Sequence, residues 1–171
     1  MPINPKQAEA LLQQLHVLVV DDNLFMRTIV RGLLNNIGVK SVIEAGDGIA
    51  ALEKIRAETP NIVILDWEMP LLNGPELVRI VRSPGIFPTP DLPIIMLTAH
   101  GEPWRIRESV KLGVNEFLCK PVSAKALFER LISILLKPRA SVQRGNYYGP
   151  VPRVPALDPE ADAPEPAPPA A

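Results

Sequence analysis

The sequence predicts an α/β domain in which five short parallel strands alternate with five helices, a doubly wound (βα)5 sheet over about residues 15 to 137. Three observations lead there. Short β-branched runs alternate with longer segments whose apolar residues recur at three- and four-residue steps. The first, third and fourth runs are apolar on both alternating faces, as a sheet covered by helices above and below requires. Most helical segments are bracketed by cap and stop residues.

The elements follow in order. His16 to Val20 is the first strand. Asn23 caps a helix along which Phe25, Ile29, Val30, Leu33, Leu34 and Ile37 recur until Gly38 stops it. Ser41 to Ala45 is the second strand, and Asp47 caps a helix with Ala50, Ala51, Leu52 and Ile55 on one face, ended by Pro60. Asn61 to Leu65 is the third strand. Pro75 occupies a first-turn position and opens a short helix through Val81. A proline-rich loop, Ser83 to Asp91, leads to the fourth strand, Pro93 to Leu97. Glu102 and Pro103 begin a helix that ends near Gly113; Asn115 to Leu118 is the fifth strand. Ser123 caps the last helix, Leu127 to Leu136, before Pro138.

Outside this unit, residues 1 to 14 form an N-terminal extension with a short amphipathic turn through Leu11, Leu12 and Leu15. Residues 138 to 171 are Pro/Ala-rich and acidic, and eight of the 20 prolines fall between Gly149 and Ala171. Such a composition buries too little apolar surface to offset its ordering entropy, so a disordered or extended tail is expected.

Composition narrows the function. With 18 Lys+Arg against 19 Asp+Glu there is no basic footprint for nucleic acid. Apolar runs of four or five residues are too short to insert in a membrane, and a cytoplasmic protein is expected. A lone cysteine, Cys119, makes neither an internal disulfide nor a zinc site; it is expected as a small buried residue of the fifth strand.

In a doubly wound sheet, ligands sit beyond the carboxyl ends of the strands. Asp21 and Asp22 follow the first strand, Asp66 the third, Thr98 the fourth, and Lys120 with Pro121 the fifth. Two carboxylates about 4 Å apart repel by roughly 4 kcal/mol at an effective dielectric of 20, so three crowded on one rim call for protonation or a cation. A hard divalent ion such as Mg²⁺ takes one or two carboxylates and leaves room for phosphate oxygens. Lys120 and Thr98 suit oxygens that gain charge in phosphoryl transfer, and Asp66 is the candidate nucleophile.

The set Val19-Val20-Asp21-Asp22, Ile64-Leu65-Asp66-Trp67-Glu68-Met69-Pro70, Gly74, Met96-Leu97-Thr98-Ala99 and Lys120-Pro121 resembles the receiver domain of two-component response regulators. The likeness spans about residues 15 to 137 in the expected order and spacing. It implies a flavodoxin-like strand order 2-1-3-4-5. It implies that Asp66 accepts phosphate from a histidine kinase or histidine phosphotransfer protein. Asp22, Asp66 and the Glu68 backbone carbonyl would bind Mg²⁺ with help from Asp21, Thr98 and Lys120 would hold the phosphoryl group, and Lys120-Pro121 would be cis. Thr98 and Phe117 would form the switch, Phe standing where a Tyr is often found. Glu68 and His100 would tune phosphoryl lifetime. A partner surface would include Trp104, Arg105, Arg107, Glu108, Lys111 and Lys125.

Enzyme readings fit less well. The acidic loop after the first strand would repel the phosphate of a flavin, the Gly-x4-Gly-Lys-Ser/Thr loop of a nucleotide hydrolase is absent, and a dehalogenase-type phosphatase places its nucleophile after strand one. The resemblance points to a stand-alone, chemotaxis-type regulator, a monomer or weak dimer acting on a downstream protein. A phosphorylation-independent interaction module and a phosphate sink remain the alternatives.

Overall fold

A computed structural model describes residues 4–152. Five parallel strands form one sheet: β1 (His16–Val20), β2 (Ser41–Ala45), β3 (Ile62–Asp66), β4 (Ile94–Thr98) and β5 (Glu116–Cys119), in the order β2-β1-β3-β4-β5. The helices are α1 (Pro5–Gln13), α2 (Leu24–Ile37), α3 (Gly48–Glu58), α4 (Gly74–Val81), α5 (Pro103–Leu112) and α6 (Ala124–Leu136).

Strand alternation divides the apolar residues between two layers. Leu18, Val20, Val63, Leu65, Ile94 and Met96 face Ala51 and Ile55 of α3 and Leu77, Val78 and Val81 of α4. Val17, Val19, Ile62, Ile64, Ile95 and Leu97 face Val30 and Leu34 of α2 and Leu127 and Leu131 of α6. The expected caps form: Asn23, Asp47 and Ser123 accept from the backbone N–H of Met26, Ala50 and Ala126. Gly38 adopts φ 111° to close α2, a left-handed conformation that a side chain would strain. Glu102 precedes α5 without a side-chain cap bond.

The first two strands have the expected bounds, whereas β3, β4 and β5 each start and end one residue later. Their terminal polar residues stay in ladder register, Asp66 opposite Leu97 and Thr98 opposite Cys119. Cys119 is exposed rather than buried, because it is the last residue of the fifth strand, at the rim of the sheet. The N-terminal turn is a full helix. Asn4 and Gln7 form a reciprocal capping box, Pro5 sits in the first turn, and Ala8 and Leu12 are buried.

The larger correction concerns residues 138 to 152. They are not an extended linker but an antiparallel hairpin, β6 (Ser141–Arg144) and β7 (Tyr147–Pro150), turning at Gly145 with φ 57°. Tyr147 is buried and donates its hydroxyl to the Pro150 carbonyl at 2.7 Å, and Tyr148 bonds Asp91. Arg139 donates to the carbonyls of Val151 (2.9 Å) and Asn115 (2.6 Å). The hairpin approaches so closely that a Cβ on Gly149 would lie 2.7 Å from Gly113 Cα. Averaging composition over the whole tail concealed this short segment, whose tyrosines supply the apolar area and polar anchors that its prolines lack. The rest of the expected tail lies outside the described residues.

A buried arginine pins the proline-rich loop. Arg82 donates to the carbonyls of Gly113 (2.9 Å), Pro90 (2.7 Å) and Leu92 (2.7 Å) and to Asn115 Oδ1 (2.9 Å). Among the described residues no helix is long and apolar enough to cross a membrane.

Candidate functional site

The carboxyl ends of β1, β3, β4 and β5 converge on a cavity of about 200 Å³ lined by Asp21, Asp22, Asp66, Trp67, Glu68, Thr98 and Lys120 among others. Asp21 leaves β1 with its backbone N–H donating to the Ala45 carbonyl and its carboxylate accepting from Asn23 N–H at 2.9 Å. It is 3% exposed, while Asp22 beside it is open to solvent. Asp66, 7% exposed, ends β3, and the chain turns immediately behind it. Gly74 is required there, because a Cβ would lie 2.6 Å from the Asp66 carbonyl oxygen and 3.0 Å from Trp67 Cα.

Lys120 closes the site from β5. Its backbone N–H donates to the Thr98 carbonyl at 2.7 Å, its peptide bond to Pro121 is cis, and its Nζ lies 3.0 Å from Asp66 Oδ1 and 3.2 Å from Asp21 Oδ2. Burial pushes the Asp66 carboxyl above its ordinary value, and the charges of Asp21 and Asp22 add to the rise; Lys120 opposes it. Burial works to lower the Lys120 ammonium, but hydrogen bonds and charge from Asp66 and Asp21 outweigh it and hold Lys120 above its ordinary value. One ammonium therefore faces three carboxylates whose oxygens lie within 4.8 Å of one another. That all-oxygen donor set, partly open to solvent, suits a small divalent cation.

The remaining expected residues fall into two groups. Thr98 is 1% exposed and lines the cavity. Glu68 and His100 stand together at its mouth, His100 Nε2 3.8 Å from Glu68 Oε1 and Nδ1 3.7 Å from Glu102 Oε1. Phe117 lies elsewhere: it is half-buried beside a second cavity of about 300 Å³, shared with Ile106, Val110, Tyr147 and Pro150. The hairpin thus packs against the face expected to meet a partner. Arg107 and Lys125 are exposed there, Trp104 is half-exposed, and Glu108 and Lys111 are half-buried.

Arg105 departs from the expected outward position. Its side chain is only 13% exposed and turns toward the site, with Nη2 3.0 Å from Glu68 Oε1 and Nη1 3.4 Å from Thr98 Oγ1. The guanidinium carbon lies 5.1 Å from the Trp67 ring centroid and 5.0 Å from that of Trp104. Helical periodicity could not foretell this, because the residue sits in the first turn of α5, where loop geometry sets direction. Trp104 adjoins Arg105 in the sequence, but Trp67 lies far from it, so no local signal marked the contact.

The family model for the response regulator receiver domain matches residues 17–132. Chemotaxis protein CheY1 of Helicobacter pylori is 39% identical over 120 residues, 70% of this chain and 95% of that protein. A chemotaxis protein CheY homolog of Campylobacter jejuni is 38% identical over 70% of this chain and 91% of its own. Among solved structures, the chemotaxis response regulator CheY4 of Vibrio cholerae aligns with a TM-score of 0.62 at 32% identity, covering 70% of this chain and 98% of that one.

Proposed function

The chain belongs to the response regulator receiver family, and we propose that Asp66 accepts a phosphoryl group from the phosphohistidine of a histidine kinase or histidine phosphotransfer protein. Family members are two-component signalling proteins rather than classical enzymes, so the chemistry proposed for this chain is limited to its own phosphorylation and dephosphorylation. The observation that carries the reading is a buried carboxylate at a strand end, held by Lys120 at 3.0 Å within a cluster of three aspartates.

Asp22, Asp66 and the Glu68 backbone carbonyl, with Asp21 alongside, would hold Mg²⁺. Bound there, the ion would supply positive charge to the phosphoryl oxygens. An oxygen of the ionised Asp66 carboxylate bonds to phosphorus as the P–N bond of phosphohistidine breaks, and the departing imidazole retains or takes up its proton from the donor protein or solvent. Lys120, already in place beside Asp66, stays to pair with the added charge, and the Thr98 hydroxyl donates to it. The drawn-in Thr98 leaves space toward β5 that Phe117 fills, changing the α5 face offered to a downstream protein. Glu68 and His100 border the approach of water and set how long the acyl phosphate lasts. The setting is cytoplasmic, and the protein acts as a monomer or weak dimer.

Incubation with phosphoramidate or acetyl phosphate and Mg²⁺, followed by intact mass measurement, tests the proposal. A single phosphoryl adduct on the wild type and none on Asp66→Asn is expected. A wild type that stays unmodified refutes it.

A further inference from the structure

A hydroxyl group offers one hydrogen to donate and two lone pairs to accept with. Thr98 Oγ1 accepts from the His100 backbone N–H at 3.1 Å and from Arg105 Nη1 at 3.4 Å. Both lone pairs are then in use, so the remaining capacity of the hydroxyl is to donate. The Thr98 side chain lines the same cavity as Asp66 and Lys120.

Arg105 is held in place from three sides. Trp67 and Trp104, 6.5 Å apart and nearly perpendicular at 85°, each present a ring within about 5 Å of its guanidinium, and Glu68 takes Nη2 at 3.0 Å. A planar, weakly hydrated cation suits such a setting, and its rigid fork can serve a carboxylate and a hydroxyl at once. The same fork occupies the Glu68 carboxylate, which would otherwise repel a phosphoryl group two residues away.

From this arrangement we propose that Arg105 is a positioning residue for phosphoryl transfer: by filling an acceptor site of Thr98 it commits that hydroxyl to donate to a phosphoryl oxygen on Asp66. The proposal rests on the function given above and adds a residue that acts through Thr98. It touches neither the phosphoryl group nor Asp66.

The test is a double-mutant cycle on the rate of phosphorylation by phosphoramidate with Mg²⁺, read by intact mass. It is run in a Glu68→Gln background, which removes the carboxylate that loss of Arg105 would release. Arg105→Met keeps length and contact with the indoles, and is expected to slow phosphorylation about tenfold, as loss of an outer residue that orients a reacting group does. Thr98→Val, which keeps volume and removes the hydroxyl, is expected to slow it at least as much. The double variant should then be within about twofold of Thr98→Val alone. Independent, multiplying effects overturn the proposal, and so does an Arg105→Met protein as fast as its parent. If Thr98→Val loses its circular dichroism spectrum, Thr98→Ala replaces it in the cycle. A wild type that takes up no phosphoryl group overturns the proposed function and this inference together, whereas a phosphorylated wild type with multiplying effects in the cycle overturns the inference alone; should the Glu68→Gln parent alone stay unmodified, the same cycle is run in the wild type.

Discussion

Replacing Asp66 by asparagine is expected to stabilise the ion-free protein at pH 7. The Asp66 and Asp21 carboxylates lie within 4.8 Å, a repulsion of about 3.5 kcal/mol or more at an effective dielectric near 20. Asp22 is exposed, and screening reduces its share to about 1 kcal/mol. Lys120 at 3.0 Å contributes about 5.5 kcal/mol of attraction on the same scale. These charge interactions nearly cancel, so burial, the largest influence on this carboxyl, decides the sign. Asparagine keeps the shape and an acceptor for Lys120 but has no charge to desolvate. A net gain of about 1 to 2 kcal/mol corresponds to a melting temperature about 2 to 8 °C higher for a chain of this size. Because the folded-state value of Asp66 lies above its ordinary 3.8, the destabilisation is absent below the ordinary value, grows between the two and is complete only at pH above the raised one. The asparagine advantage should shrink as pH falls through it and vanish below the ordinary value. Thermal melts in EDTA across this range provide the measurement. An asparagine variant that melts below the wild type at pH 7 would show that the aspartate cluster carries no unrelieved strain, and the case for a cation site would fail with it.

Three further outcomes follow from the same contacts. Lys120→Met should cost about 3 to 5 kcal/mol by urea denaturation, since it leaves two buried carboxylates without their cation; a loss below about 1 kcal/mol would mean that solvent screens them instead. With Lys120 raised in the fold, its contribution is complete below its ordinary value of 10.5 and is lost as pH climbs through the higher one. Gly74→Ala should destabilise by about 2 kcal/mol or more, because its Cβ meets backbone at 2.6 and 3.0 Å, and phosphoryl uptake should fall with it as the Asp66 turn shifts. Tyr147→Phe should cost about 1 kcal/mol by leaving the Pro150 carbonyl without its donor, and limited proteolysis should then cut the hairpin before the rest of the domain; unchanged stability would show the hairpin to be held by packing alone.

The parallel sheet was legible because each strand carries its own apolar run and each crossover helix its own punctuation. Asn23, Asp47 and Ser123 cap as their side chains dictate, and Gly38 stops α2 by accepting a positive φ. Asp21, Asp22, Asp66, Thr98 and Lys120 were found by a rule of topology, and the structure brings all five to one cavity. Misreadings cluster where local signals are mute. Asp66 and Thr98 remain in the ladder although polar residues suggest a strand end. Arg105 turns inward because two indoles and Glu68 wait there.

Periodicity and capping act within a few residues, so the chain by itself determined its elements, their order and the chemistry at their ends. What lies between distant segments was decided only on folding: the single ammonium shared by Asp21 and Asp66, the Arg82 guanidinium joining α4 to the proline-rich loop and to the turn before β5, and the Gly113–Gly149 approach that seats the hairpin. Each is a contact between groups far apart in sequence, and its strength comes from burial and directed hydrogen bonds that exist only after the sheet has assembled.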